Sequence, residues 1–252
     1  MNIILVIAAR ELRSLFLSPL AWSVLAVVQL LLGYLFLAQL EYFQMVQPRL
    51  AAMEGGPGLT EMVVVPLYGN AGIILLLVTP LMTMRLISEE RRNRTLSLLF
   101  SAPVSITEII LGKYLGILGF MGLLILMMTL MPCSLAAGTS LDWGNLAACV
   151  LALGLLLATF TAIGLYLSAL ANHPIVAAVG GFGALLLLWI IDWSGTIGTS
   201  RGTVLGYLSM LRHYENLLKG QINTTDLAYF FLAALAFVVL SIRRLDNDRL
   251  QK

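Results

Sequence analysis

Five stretches of the chain contain no Asp, Glu, Lys or Arg: Ser14 to Leu40, Met62 to Met84, Tyr114 to Leu141, Trp143 to Ile191 and Leu227 to Ile242. Each is apolar almost without interruption, and a helix needs about 20 such residues to cross a hydrocarbon core of roughly 30 Å. The fourth stretch holds 49 residues, enough for two crossings, and Asn172-His173-Pro174 supplies the tight turn between them. Six spanning helices are therefore expected, over about 20–40, 64–86, 114–135, 146–170, 175–192 and 225–243. The last apolar run has only 16 residues and needs Asn223 to Asp226 as an interfacial cap. Strands of a membrane barrel would alternate in and out over about ten residues. These runs do not alternate, so the expected fold is an all-α integral membrane protein.

Composition agrees: 60% of the 252 residues are hydrophobic and 11% charged, with a mean hydropathy of +0.94, too little polar surface for a water-soluble domain of this size. With a cytoplasmic N-terminus, the inner segments carry Arg10, Arg13, Arg85, Arg91, Arg92, Arg94, Lys113, Arg243, Arg244, Arg249 and Lys252. Arg49, Arg201, Arg212 and Lys219 remain outside, an 11 to 4 split that places both termini in the cytoplasm by the positive-inside rule. Residues 1–18 lack a basic n-region and a cleavage site, so an amphipathic interfacial helix is expected there rather than a removable signal. The basic residues cluster beside the spans, without interleaved aromatics, which argues against nucleic acid as a partner.

Several chemistries are missing. Gly112-Lys113 is followed by Tyr114 and lacks the upstream glycine of a P-loop, so ATP hydrolysis is not expected on this chain. His173 and His213 fall on opposite sides of the expected membrane, and no H-E-x-x-H occurs to hold zinc. Ion-coupled carriers usually place ionisable residues inside their spans, and the runs contain none apart from His173 in its turn. Met121, Met127, Met128 and Met131 with Cys133 form a group of soft ligands, read more readily as flexible core filling. Cys133 and Cys149 both lie near outer helix ends, where either two inert thiols or a disulfide fits, the thiols being the stronger reading. Gly112, Gly116, Gly119 and Gly122, and later Gly180, Gly181 and Gly183, permit close helix approach, chiefly within one subunit.

Against that background, five charges crowd into the six residues from Glu89 to Arg94. They open a cytosolic segment, 86–113, with three parts. A protruding helix offers Glu89, Glu90, Arg91 and Arg92, with i,i+3 and i,i+4 charge pairs. A short apolar knuckle follows, with Thr95, Leu96, Leu98, Leu99 and Phe100, closed by Ala102-Pro103. Ser105-Ile106-Thr107-Glu108 then reads as a capping box that restarts a helix into the third span. An apolar knuckle in the cytosol needs a partner surface or the bilayer.

Ser88-Glu89-Glu90-Arg91-Arg92-Asn93-Arg94-Thr95-Leu96-Ser97-Leu98-Leu99, then Ser101-Ala102-Pro103-Val104-Ser105 and Gly112-Lys113-Tyr114, resembles the EERxxGTLExLLxxPVS…GKY pattern of ABC-2 type transporter permeases. Arg94 stands where that pattern has glycine, and Ser97 where it has an acidic residue. The opening Arg10-Glu11-Leu12-Arg13-Ser14-Leu15-Phe16-Leu17-Ser18-Pro19-Leu20-Ala21-Trp22 is similar to that of the gliding-motility permease branch. So is the outer stretch His213-Tyr214-Glu215-Asn216-Leu217-Leu218-Lys219-Gly220-Gln221-Ile222.

The resemblance implies one transmembrane domain over 1–252, serving as the permease subunit of an ATP-driven exporter of a bacterial inner membrane. It implies an ABC ATPase in two copies, carrying the ATP and Mg, a second permease subunit, and a periplasmic accessory protein as a further candidate partner beside membrane lipid. No cofactor is expected on this chain. Segment 86–113 becomes the coupling helix, with Leu96, Leu98, Leu99 and Phe100 as anchor, Glu89, Glu90, Arg91 and Arg92 as rim, and Thr95 and Pro103 shaping it. Short re-entrant or interfacial helices are implied over 201–226, with His213, Glu215, Lys219 and Gly220 as outer gate candidates. The alternative is a maturation or mechanotransmission scaffold driven by the same ATPase without transporting a solute.

Overall fold

The structure, a computed structural model, describes residues 3–50, 58–95, 104–136, 141–191 and 208–250, and among them the chain is helical with no strand. The helices are α1 (Ile3–Leu17), α2 (Pro19–Leu50), α3 (Val65–Thr83), α4 (Ser88–Arg92), α5 (Ile106–Leu135), α6 (Trp143–Leu170), α7 (Pro174–Ile190), α8 (Met210–Leu218) and α9 (Thr224–Leu250). A π-helical turn, Thr60–Val64, leads into α3, its last wide bond running from Val65 N to Thr60 O, and Pro66, which has no amide to donate, sits in the first turn of α3.

Among the described residues, five helical stretches are long and apolar enough to cross a membrane: Pro19–Arg49, Thr60–Arg92, Ile106–Leu135, Trp143–Leu170 and Thr224–Arg249. Pro174–Ile190 is apolar but has only 17 residues, about 25 Å at 1.5 Å per residue. The expected turn before it is present: α6 ends at Leu170 and Pro174 opens α7, where a missing amide costs nothing. α2 runs ten residues past the expected end of its apolar run, because Glu41, Gln44 and Gln47 sustain a helix as readily as the leucines before them.

α6 is the centre of the bundle, packed against α3, α5, α7, α8 and α9. Its Asp142 cap accepts from the Gly144 and Asn145 amides at 2.9 and 3.2 Å. Leu153, Leu156 and Phe160 of α6 meet Leu67, Tyr68 and Leu75 of α3, Ile117 and Phe120 of α5, and Phe230 of α9 in one core. Outward faces stay apolar, as at Leu30, Leu187 and Phe231, all more than half exposed. Lipid is as apolar as leucine, so close backbone approach matters more here than hydrophobic sorting. Gly164 shows this most strongly, since a Cβ there would lie 2.1 Å from Thr83 Oγ1.

α1 is docked lengthwise on α5. Cβ atoms added at Gly112 and Gly116 would meet Ile7 Cβ at 2.6 Å and Glu11 Cβ at 2.8 Å, and Gly181 faces Pro80 at 3.3 Å. These glycines therefore serve packing within the subunit, whereas Gly122, Gly180 and Gly183 face open space. Met121 and Met128 are buried core residues, and both cysteines are free thiols. No cluster of three or more His, Cys, Asp or Glu suited to a metal occurs among the described residues. Trp189 packs against Phe160 and Tyr214.

Candidate functional site

Charge concentrates at the end of the bundle where residues near both chain ends meet, around α4. The helix is interrupted by a turn between Thr83 and Ser88, which frees backbone amides that need partners. Ser168 of α6, fully buried, fills that need: its hydroxyl accepts from Ile87 N at 3.1 Å and Ser88 N at 3.2 Å, and donates to Met84 O at 3.0 Å. One side chain thus fastens α4 to the central helix. At its other end α4 closes as a Schellman motif, with Arg94 N on Arg91 O at 3.2 Å and Thr95 N on Glu90 O at 3.0 Å. Arg94 takes the left-handed conformation this requires, φ 57°, which glycine adopts without the steric cost an arginine bears. That is the position where the permease pattern has glycine.

Two ion-pair systems leave α4 in opposite directions. Lys113, 3% exposed, places its ammonium 2.7 Å from Glu11 of α1 and 2.7 Å from Glu90 of α4. Arg91 pairs with Asp248 of α9 and donates to Asn172 of the α6–α7 turn at 3.3 Å. Asp248 also meets Arg244 at 3.6 Å. α4 is consequently tied to α1, α5, α6, the α6–α7 turn and α9. The spacing of Glu89 and Glu90 to Arg92 and Arg94 suggested a free-standing solvated helix, but Glu90 and Arg91 point their charges into the bundle.

The restart after the knuckle matches expectation. Ser105 Oγ accepts from Glu108 N at 3.2 Å and Glu108 Oε2 accepts from Ser105 N at 2.8 Å, completing the capping box of α5. Glu89 of α4 is half-buried, and Arg92 at the end of α4 and Thr95 just beyond it are exposed. Leu96, Leu98, Leu99, Phe100 and Pro103 lie outside the described residues, as do 201–207 of the outer segment.

At the opposite end, α8 is capped by Ser209, whose hydroxyl accepts from Arg212 N at 3.3 Å. Its inner face plugs the bundle: Tyr214 donates to Tyr68 O at 2.6 Å, and burial holds its phenol protonated well above the ordinary tyrosine range. Of the gate candidates, His213 is buried, with Nδ1 2.5 Å from Asp226 Oδ1 and its ring stacked on Tyr229 at 4.3 Å. Glu215 and Lys219 are exposed and, among the described residues, form no ion pair. Gly220 has φ 75° and ends the α8 turn, a backbone role. Asp226, 2% exposed, was legible only as a helix cap, and its partnership with His213 across 13 residues is a feature that spacing does not reveal.

Long apolar helices with apolar exteriors define a multi-pass membrane protein. Over residues 5–250 the chain matches the family described as ABC-2 family transporter protein, and it belongs to that family. Its members are membrane-spanning transporter components, generally not catalytic themselves, that typically work with an ABC ATPase. No curated protein matches the chain significantly.

Proposed function

We propose that the chain is the permease subunit of an ABC exporter in a bacterial inner membrane, driven by a separate ATPase that grips segment 86–113. The reading takes six spans, with α7 as the short fifth, both termini in the cytoplasm, and work in pairs with a second permease subunit and two ATPase copies. It keeps the likeness to the gliding-motility branch as a functional analogy. The observation that carries it is the attachment of α4: a push on the adjoining knuckle would be delivered through Glu90–Lys113–Glu11 and Arg91–Asp248 to helices on several sides of the bundle. Coupling needs such a physically continuous element linking the driven site to what moves.

Leu96, Leu98, Leu99 and Phe100 are assigned as the anchor, and Glu89, Glu90, Arg91, Arg92, Thr95 and Pro103 as its surround. Apolar anchors ringed by polar groups carry most of the binding energy in compact interfaces. Replacing Leu99 and Phe100 with Asp should abolish co-purification with the ATPase while leaving the permease in the membrane. Undiminished binding refutes the anchor assignment.

A further inference from the structure

One face of α9 packs on the bundle along its whole length. Asp226, Phe230, Val238, Ser241 and Leu245 are buried and Asp248 is half-buried, while Phe231, Leu232 and Leu235 on the other side are exposed. Asp226 and Asp248 are 22 positions apart, which at 3.6 residues per turn and 1.5 Å per residue sets them about 33 Å apart and within about 40° of each other around the helix. That distance matches the roughly 30 Å of a hydrocarbon core. The packed face is therefore apolar in its middle and ends in a carboxylate on either side of the bilayer.

Each carboxylate is fastened to a short helix. At one end Asp248 pairs with Arg91 of α4, a helix of five residues. At the other, Asp226 Oδ1 lies 2.5 Å from His213 Nδ1 of α8, a helix of nine. The same turn of α9 adds Tyr229, whose ring stacks on His213 at 4.3 Å and whose hydroxyl donates at 2.7 Å to Leu208 O, just before α8. Helices this short are marginal on their own, so the seating of α4 and of α8 is set by what holds them. α9 is suited to connect the two. Of the five long apolar stretches it alone contains neither glycine nor proline, the usual sources of kinks, and a stiff helix displaced at one end is displaced at the other. α6 also reaches both short helices, but it is enclosed by five others, whereas α9 keeps one face open.

We propose that α9 is a tie rod joining α4 to α8 across the bundle, so that the hold of Arg91 on Asp248 fixes how firmly α8 is seated at the opposite end, and conversely. Two independent clasps would behave differently, each change staying at its own end. The rod is a property of this chain alone: it requires no ATPase and holds whichever face of the membrane α4 occupies.

Hydrogen exchange of the full chain in lipid nanodiscs tests this. Asp248→Asn and, from the α4 side, Arg91→Gln should each raise exchange over residues 210–218 by about fivefold or more, the lower end of the coupling between linked sites. The core of α6, over 150–165, should stay unchanged. Linkage is reciprocal, so Asp226→Asn should raise exchange over 88–92. Ala233→Gly with Ala236→Gly leaves both ion pairs in place but softens the rod, and in that background Asp248→Asn should no longer reach α8. An α8 rate that neither Asp248→Asn nor Arg91→Gln changes, or that rises only in step with the core of α6, overturns the proposal. So does an undiminished effect of Asp248→Asn in the softened background.

Discussion

Lys113→Met gives the most direct reading of how α4 is held. The methionine keeps an unbranched stem in a site that is 3% exposed but removes the ammonium lying 2.7 Å from two carboxylates. Removing one partner of a buried pair usually costs about 3–5 kcal/mol, because the other charge is left without compensation. The Glu11 and Glu90 side chains retain 17% and 20% of their exposure, so partial rehydration lowers the expected loss to about 2–4 kcal/mol. For a chain of this length that corresponds to a fall in apparent Tm of roughly 4–16 °C. Fluorescence-detected size exclusion after a heat ramp in detergent would measure it. The triple variant Lys113→Met, Glu11→Gln, Glu90→Gln should regain most of the loss, since an uncharged site has nothing left to neutralise. A single variant within about 1 °C of the parent, or a triple variant no better than the single, would show that the charges are already solvated and that Lys113 fastens nothing.

Other consequences follow from the same geometry. Ser168→Ala leaves the Ile87 and Ser88 amides buried without an acceptor, about 1–3 kcal/mol for each unsatisfied group. Hydrogen exchange over residues 84–92 should accelerate while the core of α6 stays protected. Gly112→Ala drives a Cβ to within 2.6 Å of Ile7, at an overpacking cost of about 1–3 kcal/mol, and should raise exchange in α1 selectively. Orientation is tested in intact cells with a membrane-impermeant maleimide on a background lacking Cys133 and Cys149. A cysteine at Gln221 should label and one at Arg92 should label only after lysis; the reverse pattern would invert the topology.

How much could be read from the chain depended on the sequence distance over which each feature is built. The α5 capping box and the α6–α7 turn are local, since Ser105 and Glu108, or Asn172 and Pro174, are neighbours in sequence. The long apolar runs likewise announce their helices. The ties of α4 are not local: Lys113 meets residues 23 and 102 positions away, and Arg91 meets one 157 away. Sequence spacing suggested i,i+3 and i,i+4 pairs within the charged cluster because those are the contacts a solitary helix can make. Packing offered Glu90 and Arg91 partners on other helices. Glycine spacing pointed to close approach on α5, but not to α1 as the helix that approaches. The left-handed turn at Arg94 had a signal in the glycine of the permease pattern, though arginine itself gives none.

The central claim is that the segment joining α3 to α5 receives the ATPase. A photoreactive residue placed at Leu99 in the co-expressed complex, illuminated in membranes, tests it most directly. The account predicts a cross-link to the ATPase from Leu99 and none from the same residue placed at Ile222, at the opposite end of the bundle. A cross-link from Ile222 with none from Leu99 would contradict it.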